Sequence, residues 1–155
     1  MIKYYPATIS YYEELLQLVL QFETEKQTLY DKEDKIDNTK RQNEIKKDLK
    51  KYLKDATYNY FICIKNNIPI GYIFSCIADA YIGEGYINEV YVNPTNRNKG
   101  IGTKLIKKAL AWLKQNNCTT IDLTVNKKNK NAIFLYKNFG FNIYEDSYIA
   151  MRKVL

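Results

Sequence analysis

Glu89-Val90-Tyr91-Val92-Asn93-Pro94-Thr95-Asn96-Arg97-Asn98-Lys99-Gly100-Ile101-Gly102-Thr103 runs from a strand pattern, through a turn-rich loop, into the start of a helix. Pro94 ends the strand because it has no N–H to give to a ladder. From Ile101 the apolar positions Ile101, Leu105, Ala109 and Leu113 step by four, which predicts a helix over residues 101–116. Residues 121–125 read as strand again. The segment 86–125 is therefore a strand–helix–strand unit, expected to be parallel with a right-handed crossover.

The loop inside this unit has the makings of a phosphate cradle. Successive backbone N–H groups can point into one concavity, and the helix dipole adds positive potential there. Gly100 and Gly102 let an anion approach the backbone with no Cβ in the way, and Arg97 and Lys99 add full charges. The loop is not a dinucleotide fingerprint, since the third glycine would fall on Leu105. It is not a Walker loop either, because no glycine stands four residues before a Gly-Lys-Ser/Thr. The plainer reading is a helix N-terminus with basic surface residues.

Upstream, residues 2–5 form a strand candidate closed by Pro6. Ser10 is placed to cap a helix from near Tyr11, with Glu13 completing a capping box and Leu15, Leu16, Val19, Leu20 and Phe22 at helical spacing. From residue 23 to 37 the pattern loosens and acids gather: Glu23, Glu25, Asp31, Glu33, Asp34 and Asp37. A charged helix is expected over 39–55, with Ile45, Leu49 and Leu53 on one stripe. Strands follow at 60–64, at 68–78 as its antiparallel partner, and at 86–92. Downstream lie a short helix at 132–138, closed by Gly140 as C-cap, and strands at 141–144 and 148–154.

Composition narrows the chemistry. The 155 residues suit one domain spanning 1–155. No apolar run is long enough to cross a bilayer, and the opening Met-Ile-Lys-Tyr-Tyr-Pro does not read as a signal peptide. Cys63, Cys76 and Cys118 are odd in number and lack CxxC spacing, which speaks against a disulfide framework or zinc site and suits a reducing, cytoplasmic setting. The chain contains 0 histidines, so His triads, His bases and His metal ligands are excluded. Acid–base work falls to carboxylates, Tyr, Lys or Cys, and no metal site is expected. The net charge of +7 comes from scattered lysines, which favours a solvated surface or a phosphorylated ligand over nucleic acid.

Arg97-Asn98-Lys99-Gly100-Ile101-Gly102 resembles the (Arg/Gln)-x-x-Gly-x-(Gly/Ala) motif of the GNAT superfamily of N-acetyltransferases, after a strand where that family places one. A second block, Asn129 to Phe141, resembles the family's Asn-x-x-Ala-x-x-x-Tyr-x-x-x-Gly-Phe through Asn129, Ala132, Tyr136, Gly140 and Phe141. The resemblance covers roughly residues 60–155. It implies an α/β fold with a mixed sheet of six to seven strands and about four helices, residues 1–59 forming the acceptor side and 60–155 the acetyl-CoA core.

The resemblance also implies roles. The backbone of Arg97, Asn98, Lys99, Gly100, Ile101 and Gly102, with Thr103, would hold the pyrophosphate of acetyl-CoA. The edge of Val90, Tyr91 and Val92 would pair with its pantetheine amides, and the backbone of Val90 would serve the oxyanion. Asn129 and Ala132 would sit beside the pantetheine, although Asn129 also suits a helix cap. Tyr136 matches the acid that protonates the leaving thiolate. Glu89, expected on the face shared by Ile87 and Tyr91, is the candidate base, with Glu84 as the alternative. The acids of 23–37 fall where the family builds its acceptor wall. The acceptor is expected to be a primary amine, of a small cationic molecule such as an aminoglycoside, polyamine or lysine. A protein N-terminal or lysine amine is the alternative, and a non-catalytic acyl-CoA-binding module is the rival from another class. No nucleic-acid or membrane partner is expected, and the family's habit of dimerising leaves a homodimer open.

Overall fold

The computed structural model describes residues 1–30, 38–145 and 149–155. Strand β1 (Ile2–Pro6) leads through a single 3-10 turn into α1 (Tyr12–Tyr30), and α2 is Asn38–Tyr52. Then come β2 (Tyr58–Lys65), β3 (Ile68–Asp79), β4 (Glu84–Val92), α3 (Ile101–Gln115), β5 (Thr120–Val125), α4 (Lys130–Asn138), β6 (Asn142–Glu145) and β7 (Ile149–Val154). The strands form one seven-stranded sheet in the order β1-β2-β3-β4-β5-β7-β6. Every neighbouring pair is antiparallel except β4 and β5, which run parallel as the strand–helix–strand reading requires.

Each face of the sheet is covered by two helices. On one face Leu15 and Leu18 of α1 and Leu49 of α2 pack on Tyr60, Ile62, Tyr72 and Tyr91. On the other, Ile101, Leu105, Ala109 and Leu113 of α3 and Tyr136 of α4 pack on Ile73, Ile87 and Leu123. Leu105 and Leu113 are fully buried, each such burial stabilising the fold by about 1.5–3 kcal/mol. The four-residue stripe that marked α3 in the sequence is thus the stripe that binds it to the sheet.

The helix boundaries depart from the sequence reading where local hydrogen bonds decide them. Ser10 caps nothing: its hydroxyl lies 2.8 Å from that of Thr8, and a 3-10 turn (Ile9–Tyr11) precedes α1. Helix α1 continues through Glu23 and Glu25 to Tyr30, with Lys26 paired to Glu23 one turn back at 2.7 Å. Helix α2 stops at Tyr52 rather than 55, because the Asp55 carboxylate accepts from the backbone N–H and hydroxyl of Thr57 at 2.9 and 2.7 Å and turns the chain. The acids Asp31, Glu33, Asp34 and Asp37, and Tyr148, lie outside the described residues.

Candidate active site

The parallel pair β4–β5 is short. Only Glu84, Gly85 and Tyr86 pair with β5, opposite Thr120, Ile121 and Asp122. Past Tyr86 the two strands part, β4 staying with β3 as far as Val92 and β5 staying with β7 as far as Val125. The cause is a β-bulge: Glu89 opposes Phe74 and Ile87 opposes Ser75, leaving Asn88 as the extra residue. A bulge adds twist and bends its strand, here at the point where pairing to β5 is lost.

The bulge also corrects the expected face of Glu89. Ile87, before it, packs in the core under α3, whereas Tyr91, after it, packs in the core under α1 and α2. Glu89 therefore shares a face with Tyr91 but not with Ile87. Beyond the bulge the Asn93 N–H donates to the Ile70 carbonyl at 2.9 Å. Alternation then turns the backbone groups of Tyr91 toward β3 and those of Val90 and Val92 toward the gap. Among the described residues no strand pairs with that edge. The Val92 carbonyl is already taken by Arg97 Nε at 2.8 Å, so the edge offered to the gap is the Val90 N–H and C=O and the Val92 N–H.

The edge runs into the loop before α3. Gly100 stands at φ +74°, a left-handed conformation natural to glycine, and a Cβ there would meet no protein atom within 4 Å. At Gly102 the nearest atom to an added Cβ would be Leu135 Cδ2 at 3.9 Å. No side chain caps α3 and no acid occupies its first turn. Its first N–H groups lack helical acceptors by geometry and sit beside two glycines whose Cβ directions are open.

The basic side chains behave differently from the sequence expectation. The Arg97 guanidinium turns away from the loop backbone onto α1, holding Glu25 by both oxygens at 2.6 and 2.8 Å. Lys99 Nζ donates to the Thr95 carbonyl at 2.7 Å. Asn98 takes a left-handed turn at φ 60°. Asn129 caps α4, its Oδ1 accepting from the Ala132 N–H at 3.1 Å, and Ala132 packs against the core under α3.

Glu89 opens into a cavity of about 280 Å³ between α1, α2 and the sheet. Tyr52, Tyr60 and Phe74 form its aromatic wall, with Tyr60 and Phe74 stacked at 4.3 Å. Glu23, Asp48 and Glu89 line it against one cation, Arg41, so three acids face one base. Glu23 is held by Lys26 at 2.7 Å and Arg41 at 3.3 Å. Burial works to raise its carboxyl, but these two partners outweigh it and hold Glu23 below the ordinary carboxylate value. Glu89 goes the other way: burial, aided by Glu23, raises it above the ordinary value despite Lys26, Arg41 and a hydrogen bond from Tyr72. A wider hollow of about 600 Å³ lies beside Thr39, Lys40, Asn43, Glu44 and Lys47, all of α2.

Tyr136 occupies the opposite face. A Schellman ending of α4 fixes it: the Phe141 N–H returns to the Tyr136 carbonyl at 3.1 Å and the Gly140 N–H to Lys137 at 2.9 Å. The Tyr136 ring meets Phe141 edge-on at 5.7 Å, and burial raises its phenol above the ordinary value. Glu89 and Tyr136 thus belong to different faces of the sheet, and beyond Tyr86 the gap between β4 and β5 lies between those faces.

Glu84 is not part of this arrangement. It starts β4 in the stretch still paired to β5 and lies 3.6 Å from Arg152, which chelates the buried Asp122 at 2.7 and 2.9 Å. Nor do the described acids of the 23–37 segment form an open acidic surface, since Glu23 and Glu25 are both ion-paired. Arg41, Asp48, Tyr52 and Tyr72 escaped the sequence reading, because helical and strand spacing mark a buried face without saying which polar groups meet on it. Among the described residues no cluster of three or more His, Cys, Asp or Glu side chains is arranged for a metal ion, and no helix is long and apolar enough to cross a membrane.

A sheet parted at a bulge, with an uncapped glycine-bearing helix start beside the gap, defines an acyltransferase-like architecture. The model of the acetyltransferase (GNAT) family matches residues 13–141, and the chain belongs to that family. An uncharacterized N-acetyltransferase of Methanocaldococcus jannaschii is 36% identical over 88 residues, covering 53% of this chain and 38% of that protein. Human N-alpha-acetyltransferase 30 is 30% identical over 111 residues, covering 63% of this chain and 30% of its own length. The chain therefore spans 38% and 30% of the length of these two relatives. Among solved structures, the PaiA N-acetyltransferase of Thermoplasma acidophilum, crystallised with coenzyme A, superposes over 100% of this chain and 99% of its own, with a TM-score of 0.83 at 19% identity.

Proposed function

We propose that this chain is an acetyl-CoA-dependent N-acetyltransferase that acetylates a primary amine delivered from the α1–α2 cavity. The observation that carries the reading is the parted β4–β5 pair, with Glu89 on one face and Tyr136 on the other. The Val90 and Val92 edge suits the amides of pantetheine, which would lie in the gap like an added strand. The N–H groups from Asn98 to Thr103 suit the pyrophosphate, whose oxygens need donors and space without Cβ atoms. Arg97, expected from the sequence to join this set, is left out of it: its N–H donates to the Pro94 carbonyl at 3.3 Å and its side chain is engaged with Glu25 and Val92. Asn129 and Ala132 would flank the pantetheine at the start of α4.

The steps follow from chemical need. An alkylammonium holds its proton near neutral pH, the lysine reference being about 10.4. Glu89, ionised, takes that proton from the cavity side. The amine nitrogen then attacks the thioester carbonyl carbon, and the Val90 N–H meets the oxyanion. The nitrogen sheds its second proton to solvent as the C–S bond breaks, Tyr136 protonates the departing sulfur, and solvent restores its phenol. Amide and free thiol are the products.

The cavity's size and its three acids against one cation favour a small cationic acceptor, or the amine-bearing end of a larger one. About 280 Å³ holds roughly nine waters at about 30 Å³ each. That volume favours a polyamine- or amino-acid-sized amine over a whole aminoglycoside. The identity with N-alpha-acetyltransferase 30 favours a second reading, a peptide's N-terminal amine. The three free cysteines accord with a reducing, cytoplasmic setting. A thiol-release assay with acetyl-CoA across polyamines, amino acids and short peptides tests the proposal. Turnover with a small amine and not with peptides is expected, and no turnover with any amine would refute it.

A further inference from the structure

We propose that Tyr72 is a positioning residue for the transfer: its hydroxyl grips one oxygen of Glu89, keeps the carboxylate in its basic form and leaves the other oxygen for the amine. This rests on the reading of Glu89 as the base.

The Tyr72 hydroxyl donates to Glu89 Oε2 at 2.6 Å, the short distance expected when the acceptor is ionised. Tyr72 is fully buried. Its ring is boxed in by Phe22 edge-on at 6.5 Å, Tyr60 at 6.2 Å and Tyr91 at 6.1 Å. The hydroxyl therefore has little freedom, and no strand register is wasted: Tyr72 opposes Tyr91, two residues along from the bulge that aims Glu89. A tyrosine in a core needs a partner for its hydroxyl, and here the partner is the one carboxylate beside the gap.

The groups around Glu89 show why a fixed donor matters. From α1 come Glu23 and Lys26, and from α2 Arg41, Asp48 and Tyr52. Strands β2 and β4 add Tyr60 and Tyr86. Arg41 is 3.3 Å from Glu23 and Lys26 2.7 Å, so both cations are spent on another acid. Burial lifts the Glu89 carboxyl, and Tyr72 is the largest influence pulling it down. Only the ionised form can accept the proton of an ammonium, so the donor sets the pH at which the base begins to work.

The test is the pH dependence of kcat/KM for the parent, Tyr72→Phe and Glu89→Gln. Phe keeps the ring and its packing. Losing a hydrogen bond to a charged group should move the acid limb up by about one to two pH units, with a smaller loss on the plateau because the carboxylate is no longer held in place. A packing role alone would lower rates evenly and leave the limb in place. Replacing Tyr72 with 3,5-difluorotyrosine, a stronger donor of similar size, should move the limb down and serves if Tyr72→Phe folds poorly. If Glu89→Gln keeps the acid limb and the rate, the base assignment itself fails. If Glu89→Gln abolishes the limb but both Tyr72 variants leave it unmoved, the positioning role of Tyr72 is overturned.

Discussion

The two halves of the proposed site are built from different materials. The cosubstrate side is made of backbone: a strand edge, a bulge, and N–H groups at the start of α3. The acceptor side is made of side chains, gathered from α1, α2, β2, β3 and β4 around a cavity. Backbone donors suit a ligand whose amides and phosphates are constant. Side-chain walls can be exchanged without disturbing the sheet, and so suit a partner that differs between relatives. The contrast says where substitutions should change chemistry, where they should change affinity, and where they should do little.

The largest effect is expected at the join of the two sides. Tyr136→Phe keeps the ring against Phe141 but deletes the proton donor, and kcat should fall about 10²–10⁴-fold with coenzyme affinity retained. Stopped-flow thiol release measures it, and near-normal turnover would leave Tyr136 as a core aromatic. Glu89→Gln should lower kcat/KM about 100-fold at neutral pH, with the loss shrinking as alkali supplies free amine.

The same substitution has a stability signature. Because the folded-state carboxyl of Glu89 titrates above its ordinary value, ionising it at neutral pH costs the fold. The glutamine variant should therefore melt higher than the parent at pH 7. That advantage should disappear as pH falls through the raised value toward the ordinary carboxylate range. Glu23 has the opposite sign: its lowered carboxyl stabilises above the ordinary value, and Glu23→Gln should cost most at neutral pH and least in acid. Melting curves across about pH 3 to 8 separate the two acids of one cavity.

Smaller effects are expected on the cosubstrate side. Gly102→Val introduces a side chain where only Leu135 lies within 4 Å, so the fold should tolerate it. Losing one charge-assisted contact should weaken coenzyme A about tenfold by calorimetry. Unchanged affinity would remove the loop from the site. The smallest effect belongs to the tie between the halves. The Arg97–Glu25 pair is half-exposed, and such pairs contribute about 0–1 kcal/mol. Glu25→Gln should move coenzyme affinity less than about fivefold, and a larger loss would mean that the Arg97 side chain sets the loop.

The same division governs what could be read from the sequence. The succession of elements along the chain, the parallel unit and the stripe of α3 depend on periodicity, and a resemblance confined to a glycine loop and a tyrosine block pointed to the backbone-built half. The acceptor half rests on tertiary meetings with no local signal. Tyr72 and Glu89 are 17 residues apart and Glu23 and Arg41 are 18 apart. The bulge at Asn88 was equally hidden, since an extra residue in a ladder looks in sequence like one more strand position. It reversed the face expected for Glu89 relative to Ile87. Arg97 shows the same limit: a cation in a phosphate-type loop promises charge to a ligand, and the fold turns its guanidinium onto α1.

A ¹⁵N-resolved NMR titration of the labelled chain with acetyl-CoA bears most directly on the parted strands as the cosubstrate site. Saturable shifts should concentrate on the N–H groups of Val90 and Val92 and of Lys99 through Thr103, with the exposed face of α2 unmoved. Saturable binding that spares those groups, or no binding at all, would contradict it.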